Sequence, residues 1–254
     1  RGTNNFKMKI SGKIVDIHSR EIYPGEILIE NGIISDIIRN GKSEDHYIIP
    51  GLIDSHVHIE SSMVTPGSFA IAAVSRGTTG LVSDPHEVAN VLGVEGVKFM
   101  LEDSRKTPVK FFFGAPSCVP ATTYETSGAV INHENIDELL RMDEIKYLSE
   151  MMNFPGVIND DPEIIDKLNI AVKYNKPIDG HAPALRGENL KKYISSGITT
   201  DHECTSLDEA LEKINLGMKI LIREGSAARN LEALKPLLRS HPDKVMLCSD
   251  DLHP

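Results

Sequence analysis

The sequence predicts an α/β protein, a (β/α)8 TIM-type barrel with a small N-terminal β-sandwich portion. Three features of the 254 residues carry that reading. From residue 49 onward short apolar runs alternate with amphipathic stretches. Histidines and acids recur at the ends of those runs. Residues 1–48, by contrast, are broken into short β-rich pieces by turn-forming pairs.

In residues 1–48 the pieces are Lys13–Ile17, then a Pro24-Gly25 turn, then Glu26–Glu30, an Asn31-Gly32 turn and Ile33–Ile38. β-Branched residues split by such pairs read as hairpins, so this part is expected to be a small antiparallel sheet. Nothing in it reads as catalytic.

Residues 49–254 are assigned to the barrel, ending at strand eight. The first strand follows Pro50-Gly51, and side chains two apart on a strand share a face, which gathers Asp54, His56 and His58. Further strands are expected at 78–84, 109–114, 145–150, 177–181, 197–202, 218–223 and 244–250. Helix signals lie between them. Asp161-Pro162 is an N-cap with proline at the first helical position, followed by a stripe of Ile164, Ile165, Leu168, Ala171 and Val172. Ser206 and Glu209 are spaced as a capping box, and Gly197 stands where a helix C-terminal glycine belongs. Eight strands alternating with helices fit a barrel whose reactive groups sit at the strands' C-terminal ends. A doubly wound open sheet is the rival, but no glycine-rich phosphate fingerprint supports it.

Those ends are where the polar residues fall: His56 and His58, His86-Glu87 in the loop after strand two, Glu150, His181, His202 and Asp250. A lone strand-end histidine is usually a hydrogen-bonded structural residue. Six ligand-type residues on one rim point instead to a metal centre, because burying so many polar groups without partners is costly. Nitrogen and carboxylate donors without cysteine suit Zn, Mn or Fe(II). A carboxylate able to bridge, Glu150, allows two ions, and Asp250 is the candidate proton carrier. The chemistry expected is hydrolytic. Glu203 and the Arg223-Glu224-Gly225-Ser226 run lie at the same rim, as substrate contacts or as salt bridges. Cys118 and Cys204 lie near it too, with burial as small hydrophobes the alternative, and the 121–128 stretch is a candidate substrate loop.

Composition narrows the partners. A 40% hydrophobic and 25% charged chain is ordinary for a globular protein. The formal charge of −10 argues against nucleic acid or an anionic membrane and leaves a small molecule. Neither a long apolar run nor a signal-peptide pattern is present, so a cytoplasmic protein is expected. Cys118, Cys204 and Cys248 are too scattered for a disulfide framework or a Cys-x-x-Cys knuckle.

The run from Pro50 to His58, with its His-x-His, resembles the signature of the amidohydrolase superfamily. Glu60-Ser61-Ser62-Met63, Asp84-Pro85-His86-Glu87-Val88-Ala89-Asn90-Val91, Ser149-Glu150-Met151-Met152-Asn153, Asp179-Gly180-His181-Ala182-Pro183, Thr200-Asp201-His202-Glu203 and Cys248-Ser249-Asp250-Asp251 resemble, in order, the bacterial and archaeal adenine deaminases. The resemblance covers essentially the whole chain. It implies one metal on His56 and His58, a second on His181 and His202, Glu150 bridging them, and Asp250 touching a metal and moving protons. The ions it implies are Mn(II) or Fe(II), with Zn(II) as the alternative. It implies attack of hydroxide at C6 of adenine, loss of ammonia and formation of hypoxanthine. A homo-oligomer, a dimer, is expected. His86 and Glu87 would hold an additional ion or touch the purine, and Glu203 and Asp251 are further candidate contacts. Zinc deaminases that act on flipped bases are excluded, because they need a Cys-x-x-Cys.

Members of this group continue past strand eight with a last helix, the rest of the small sheet and a C-terminal region. This chain starts without Met and stops at Pro254, so it reads as one piece of a longer chain. Alone, such a piece is expected to be poorly stable, because apolar barrel surface would lie uncovered. Two other functions compete. One is hydrolysis of a cyclic amide or an N-acetyl sugar on the same barrel. The other is a non-catalytic scaffold, which would tolerate loss of ligating residues, whereas here all six positions carry them.

Overall fold

The computed structural model describes residues 7–41, 45–122 and 124–254, and the chain divides into two units, residues 1–51 and 52–254. In the first unit, β1 (Lys7–Asp16), β2 (Glu21–Glu30), β3 (Ile33–Arg39) and β4 (Tyr47–Ile48) form one sheet in the order β3-β2-β1-β4. The first three strands are antiparallel, and β4 runs parallel to β1. The described residues thus supply one layer of the expected sandwich.

Asn31-Gly32 is the turn its sequence predicts: φ is 53° and 80°, positive at both central positions as a tight hairpin demands. Pro24-Gly25 is not a turn. Both residues lie inside β2, with Pro24 opposite Lys13 and Gly25 opposite Gly12. Pairing of β2 with β3 begins only at Gly25, so Pro24 lies just beyond that ladder. At Gly25 the glycine serves close packing, since a Cβ there would stand 2.7 Å from the Ile38 carbonyl oxygen. The reversal comes earlier, where the Asp16 carboxylate accepts the backbone N–H groups of His18 and Ser19.

In the second unit, β5 (Leu52–His58), β6 (Thr78–Ser83), β7 (Lys110–Ala115), β8 (Ile145–Met151) and β9 (Ile178–Gly180) pair in sequence, all parallel. β10 (Thr200–Asp201), β11 (Lys219–Arg223) and β12 (Val245–Cys248) form a second parallel set. Two joins turn these sets into a ring. Ile198, just before β10, bridges Ile178 in parallel. Beyond Ser249 the short β13 (Asp250–Asp251) pairs with β5, so β12 and β13 act as one interrupted stave. Among the described residues the barrel therefore closes with eight staves, although the chain stops after the last of them.

Helices fill the crossovers: α1 (Pro66–Ser75), α2 (His86–Leu92), α3 (Val94–Ser104), α4 (His133–Arg141), α5 (Phe154–Ile158), α6 (Pro162–Lys173), α7 (Gly187–Ser195), α8 (Leu207–Asn215), α9 (Leu231–Leu234) and α10 (Leu237–Ser240). A large core of Val57, Leu81, Phe113, Leu139, Leu148, Leu168 and Leu190 lies between staves and helices. A smaller one joins Ala210 and Ile214 of α8 to Ile220 and Ile222 of β11.

At α6 the Asp161 carboxylate accepts the Glu163 N–H at 3.0 Å, and Ile164, Leu168 and Ala171 are buried. Val172, the last residue of the predicted stripe, is exposed. Gly197 has φ +94° and donates to the Ile194 carbonyl, closing α7 as expected. The capping box at α8 is only half formed. Ser206 Oγ accepts from the Glu209 N–H, but the Glu209 carboxylate turns away to the N–H groups of Ala184 and Thr205 and to Lys213. Leu52, Ile53, Ile71 and Leu247, on β5, α1 and β12, are exposed. No described helix is long and apolar enough to cross a membrane.

Candidate metal centre

Five staves and the residues directly after them carry the site. β5 ends in His56 and His58, β8 carries Glu150, β13 carries Asp250, and His181 and His202 directly follow β9 and β10. The strand period does the gathering: His56, His58, Glu150, His202 and Asp250 are all buried, and His181 is largely so.

Each imidazole of the first pair is fixed from behind. His56 Nδ1 lies 3.1 Å from Asp179 Oδ2, and His58 Nδ1 lies 3.0 Å from the Asp84 carbonyl oxygen. Both partners only accept, so each Nδ1 carries a hydrogen and each Nε2 is the nitrogen that faces inward. Those two nitrogens are 3.1 Å apart. At that distance the two nitrogens share either a proton or a metal ion, and the carboxylate oxygens 3.3 Å from His58 Nε2 favour either cation.

Glu150 divides its two oxygens. Oε1 is 3.3 Å from His58 Nε2 and 4.0 Å from His56 Nε2, while Oε2 is 2.6 Å from His181 Nδ1 and 3.2 Å from His202 Nε2. Asp250 Oδ1 joins the first group at 3.3 Å from His58 Nε2. The donors thus form two adjacent sets, His56–His58–Asp250 and His181–His202, that share one carboxylate. His56 and His202 stack with ring centroids 4.1 Å apart.

A sequence profile described as the amidohydrolase family matches residues 47–252. The chain belongs to the amidohydrolase family. It is 59% identical over 97% of its length to a Methanosarcina mazei protein named adenine deaminase, covering 44% of that protein. A Sulfurovum protein of the same name is 57% identical over 97% of the chain, which covers 46% of it. The chain therefore spans about half the length of the curated relatives it matches. Among solved structures, N-isopropylammelide isopropylaminohydrolase from Burkholderia multivorans superposes with a TM-score of 0.57 at 16% identity, over 98% of this chain and 75% of that one. That likeness concerns the fold alone.

The electrostatics of this amidohydrolase site favour cations. The carboxylates of Asp84, Glu150, Asp179, Glu203 and Asp250 crowd together. Among the described residues Arg223 is the permanently charged cation that bonds to them, pairing with Glu203 through both its nitrogens and with Asp250 Oδ2 at 2.6 Å. Burial alone would raise the Glu150 pKa, yet the His181, His202 and His58 hydrogen bonds hold it well below the usual carboxylate range. Burial would likewise depress His58, His181 and His202. Their bonds to carboxylates, Asp250 first for His58 and Glu150 for the other two, raise all three instead. The donor set, nitrogen and carboxylate oxygen with no thiolate, matches divalent transition metals, and amidohydrolases are metal-dependent.

The other expected residues separate. His86 Nδ1 binds Asp84 Oδ2 at 3.0 Å and lies 3.4 Å from Glu150 Oε1. Burial opposes its protonation, but the Asp84 charge raises its pKa to about 9. Glu87 lies beside it, 3.3 Å from His86 Nε2. Glu203 Oε1 is 3.5 Å from His202 Nε2 and 3.6 Å from His181 Nδ1, held there by Arg223. Asp251 does not join the cluster, because its carboxylate accepts the Ser61 hydroxyl and its backbone pairs with β5. Asp54, expected on the imidazole face, instead accepts the Ser249 N–H and hydroxyl. Cys118 and Cys204 are buried hydrophobes; Cys204 donates to Asp201, and burial pushes both thiols up. In the 121–128 stretch Tyr124 is exposed, and Thr123 lies outside the described residues. Sequence reading missed Asp84 and Asp179 as imidazole supports. For Asp179 a signal existed, since it stands two residues before His181 on the same strand pattern.

Proposed function

We propose that the full-length protein containing this chain hydrolyses adenine to hypoxanthine and ammonia at two divalent metal ions, Mn(II) or Fe(II) in preference to Zn(II). One observation carries the reading: the two oxygens of Glu150 face separate imidazole pairs. The choice of adenine rests on the name borne by relatives that match nearly all of this chain. Its size, small and uncharged, also suits an anionic protein.

In this reading His56, His58 and Asp250 would hold one ion and His181 and His202 the other, with Glu150 available to both. Bound there, the ions supply Lewis acidity and make water a nucleophile near neutral pH. Asp179 and the Asp84 carbonyl keep His56 and His58 in the tautomer that presents Nε2. Asp250, its second oxygen anchored by Arg223, receives the proton of the attacking water and passes it to the departing nitrogen. Carbon 6 exchanges its amino group for oxygen, and ammonia leaves. His86, bonded to Asp84 and 3.4 Å from Glu150 Oε1, is assigned to a purine contact or to an additional ion. We assign Glu87 and Glu203 to the same rim. A homodimer of the full-length protein is part of this proposal.

The test is direct. The full-length protein, loaded with Mn(II), is incubated with adenine while ammonia and the purine ultraviolet spectrum are followed. Stoichiometric ammonia with conversion to hypoxanthine is expected. Adenine left intact beside cleavage of a cyclic amide or an N-acetyl sugar would overturn the substrate, and absence of bound metal would overturn the centre.

A further inference from the structure

Behind the second imidazole pair lies a buried ion cluster that touches no part of the metal-ligand set described above. Lys213, on α8, is completely buried, and its ammonium uses all three hydrogens: to the Ala182 carbonyl at 2.7 Å, Asp201 Oδ2 at 2.9 Å and Glu209 Oε1 at 2.8 Å. Asp201 Oδ1 in turn accepts the Ala182 N–H at 2.8 Å, and its Oδ2 accepts the Glu203 N–H. Glu209 accepts the Ala184 N–H with one oxygen and the Thr205 N–H with the other.

The connectivity has a direction. Ala182 follows His181 and Asp201 precedes His202, so one ammonium and one carboxylate clamp the residues adjoining both imidazoles. Both main-chain groups of Ala182 are tied into the clamp. The loops after β9 and β10 are separate connections, each bringing one imidazole to Glu150, that must hold the two rings 5.2 Å apart. The first pair needs no such device, because His56 and His58 sit on a single strand.

We propose that Lys213 is a positioning residue for the half of the centre formed by His181 and His202, setting the geometry, and hence the affinity, of the second metal ion. This rests on the reading that those imidazoles hold an ion. Removing the ammonium cuts the ties that join Ala182 to Asp201 and Glu209, and in the single variant also leaves two facing buried carboxylates that repel, so the loops after β9 and β10 spread and the rings separate. The strand bearing His56 and His58 lies outside that disturbance.

Co(II) binding to the full-length protein distinguishes the possibilities. Stoichiometry, chelator-competition dissociation constants and visible absorption are compared for the wild type, Lys213→Met, the double variant Glu209→Gln/Lys213→Met and Lys176→Met. The double variant keeps the wild-type local charge, and so keeps the comparison available where the single variant fails to fold. Lys176 is the control, a half-buried lysine whose ammonium also donates to three carbonyls, those of Leu140, Met142 and Ile145. The expected result is one ion held as in the wild type and the second at least ten times more weakly in both Lys213 variants, with Lys176→Met binding two ions normally. Two ions bound at wild-type affinity by the Lys213 variants would overturn the proposal. Equal weakening in Lys176→Met would also overturn it, since general destabilisation would then explain the effect. A wild type that binds no metal would remove the parent reading instead.

Discussion

Asp250 occupies a junction between two kinds of partner. One oxygen approaches His58 Nε2, and the other is bonded to Arg223. Burial pushes its pKa up, but the His58 bond and the charges of His202 and His56 hold the carboxyl well below its ordinary value. A group so placed is ionised and able to take a proton without moving. Replacing Asp250 by Asn in the full-length protein is expected to leave metal content largely intact and to lower turnover by at least ~100-fold, the scale of general acid–base catalysis. Unchanged turnover would remove Asp250 from the mechanism. Asp251 is then a poor substitute, because Ser61 holds it away from the imidazoles. At this scale the sequence was informative wherever strand alternation speaks, as for His56 and His58. It was silent on Arg223 as the partner of Asp250, because a pairing across 27 positions leaves no local spacing to read.

The elements show why caps were more legible than turns. Asp161 has one structural option, since Pro162 fixes the next φ and the freed N–H groups of α6 need an acceptor. Asp161→Ala is therefore expected to cost about 1 kcal/mol, read as a lowered denaturation midpoint at unchanged m-value. No shift would mean that Pro162 alone sets the helix start. Pro24-Gly25 misled because proline and glycine have more than one use. Here proline sits beyond a ladder and glycine admits the Ile38 carbonyl. At α8 the Ser206–Glu209 spacing was read correctly as a helix start. The second half of the box failed because a buried ammonium attracts Glu209 more strongly than a neutral backbone N–H does. Local patterns cannot announce such long-range competitors.

For the whole molecule, the alternation of eight apolar runs was enough to give the barrel, since each run is a stave and each crossover carries helix. Closure was not legible, because it depends on where β13 pairs. The assembled centre also couples metal to protons. In the metal-free state His58, His181 and His202 keep their protons to a pH above the ordinary imidazole value. Metal must displace those protons, so affinity for Mn(II) is expected to fall by about tenfold per pH unit for each proton displaced as pH drops below the raised values. Titration of the full-length protein with Mn(II) at pH 6, 7 and 8 checks this, and a pH-independent affinity would contradict it. The same shifts act oppositely on the metal-free fold. The imidazole contribution to stability is complete below the unfolded histidine pKa and is lost as pH rises through the raised values. That of Glu150 is present above its unfolded pKa and is lost as pH falls through its depressed one.

The last stave is broken at Ser249 and fastens to β5 through just two register pairs, Asp250 with Val57 and Asp251 with His58, with Asp250 itself at φ +59°. The hoop is clasped by the residue assigned to carry protons. Reactivity and closure thus share a seam that side chains from Asp54 to Ser62 stitch as well, and whatever slackens it displaces the base.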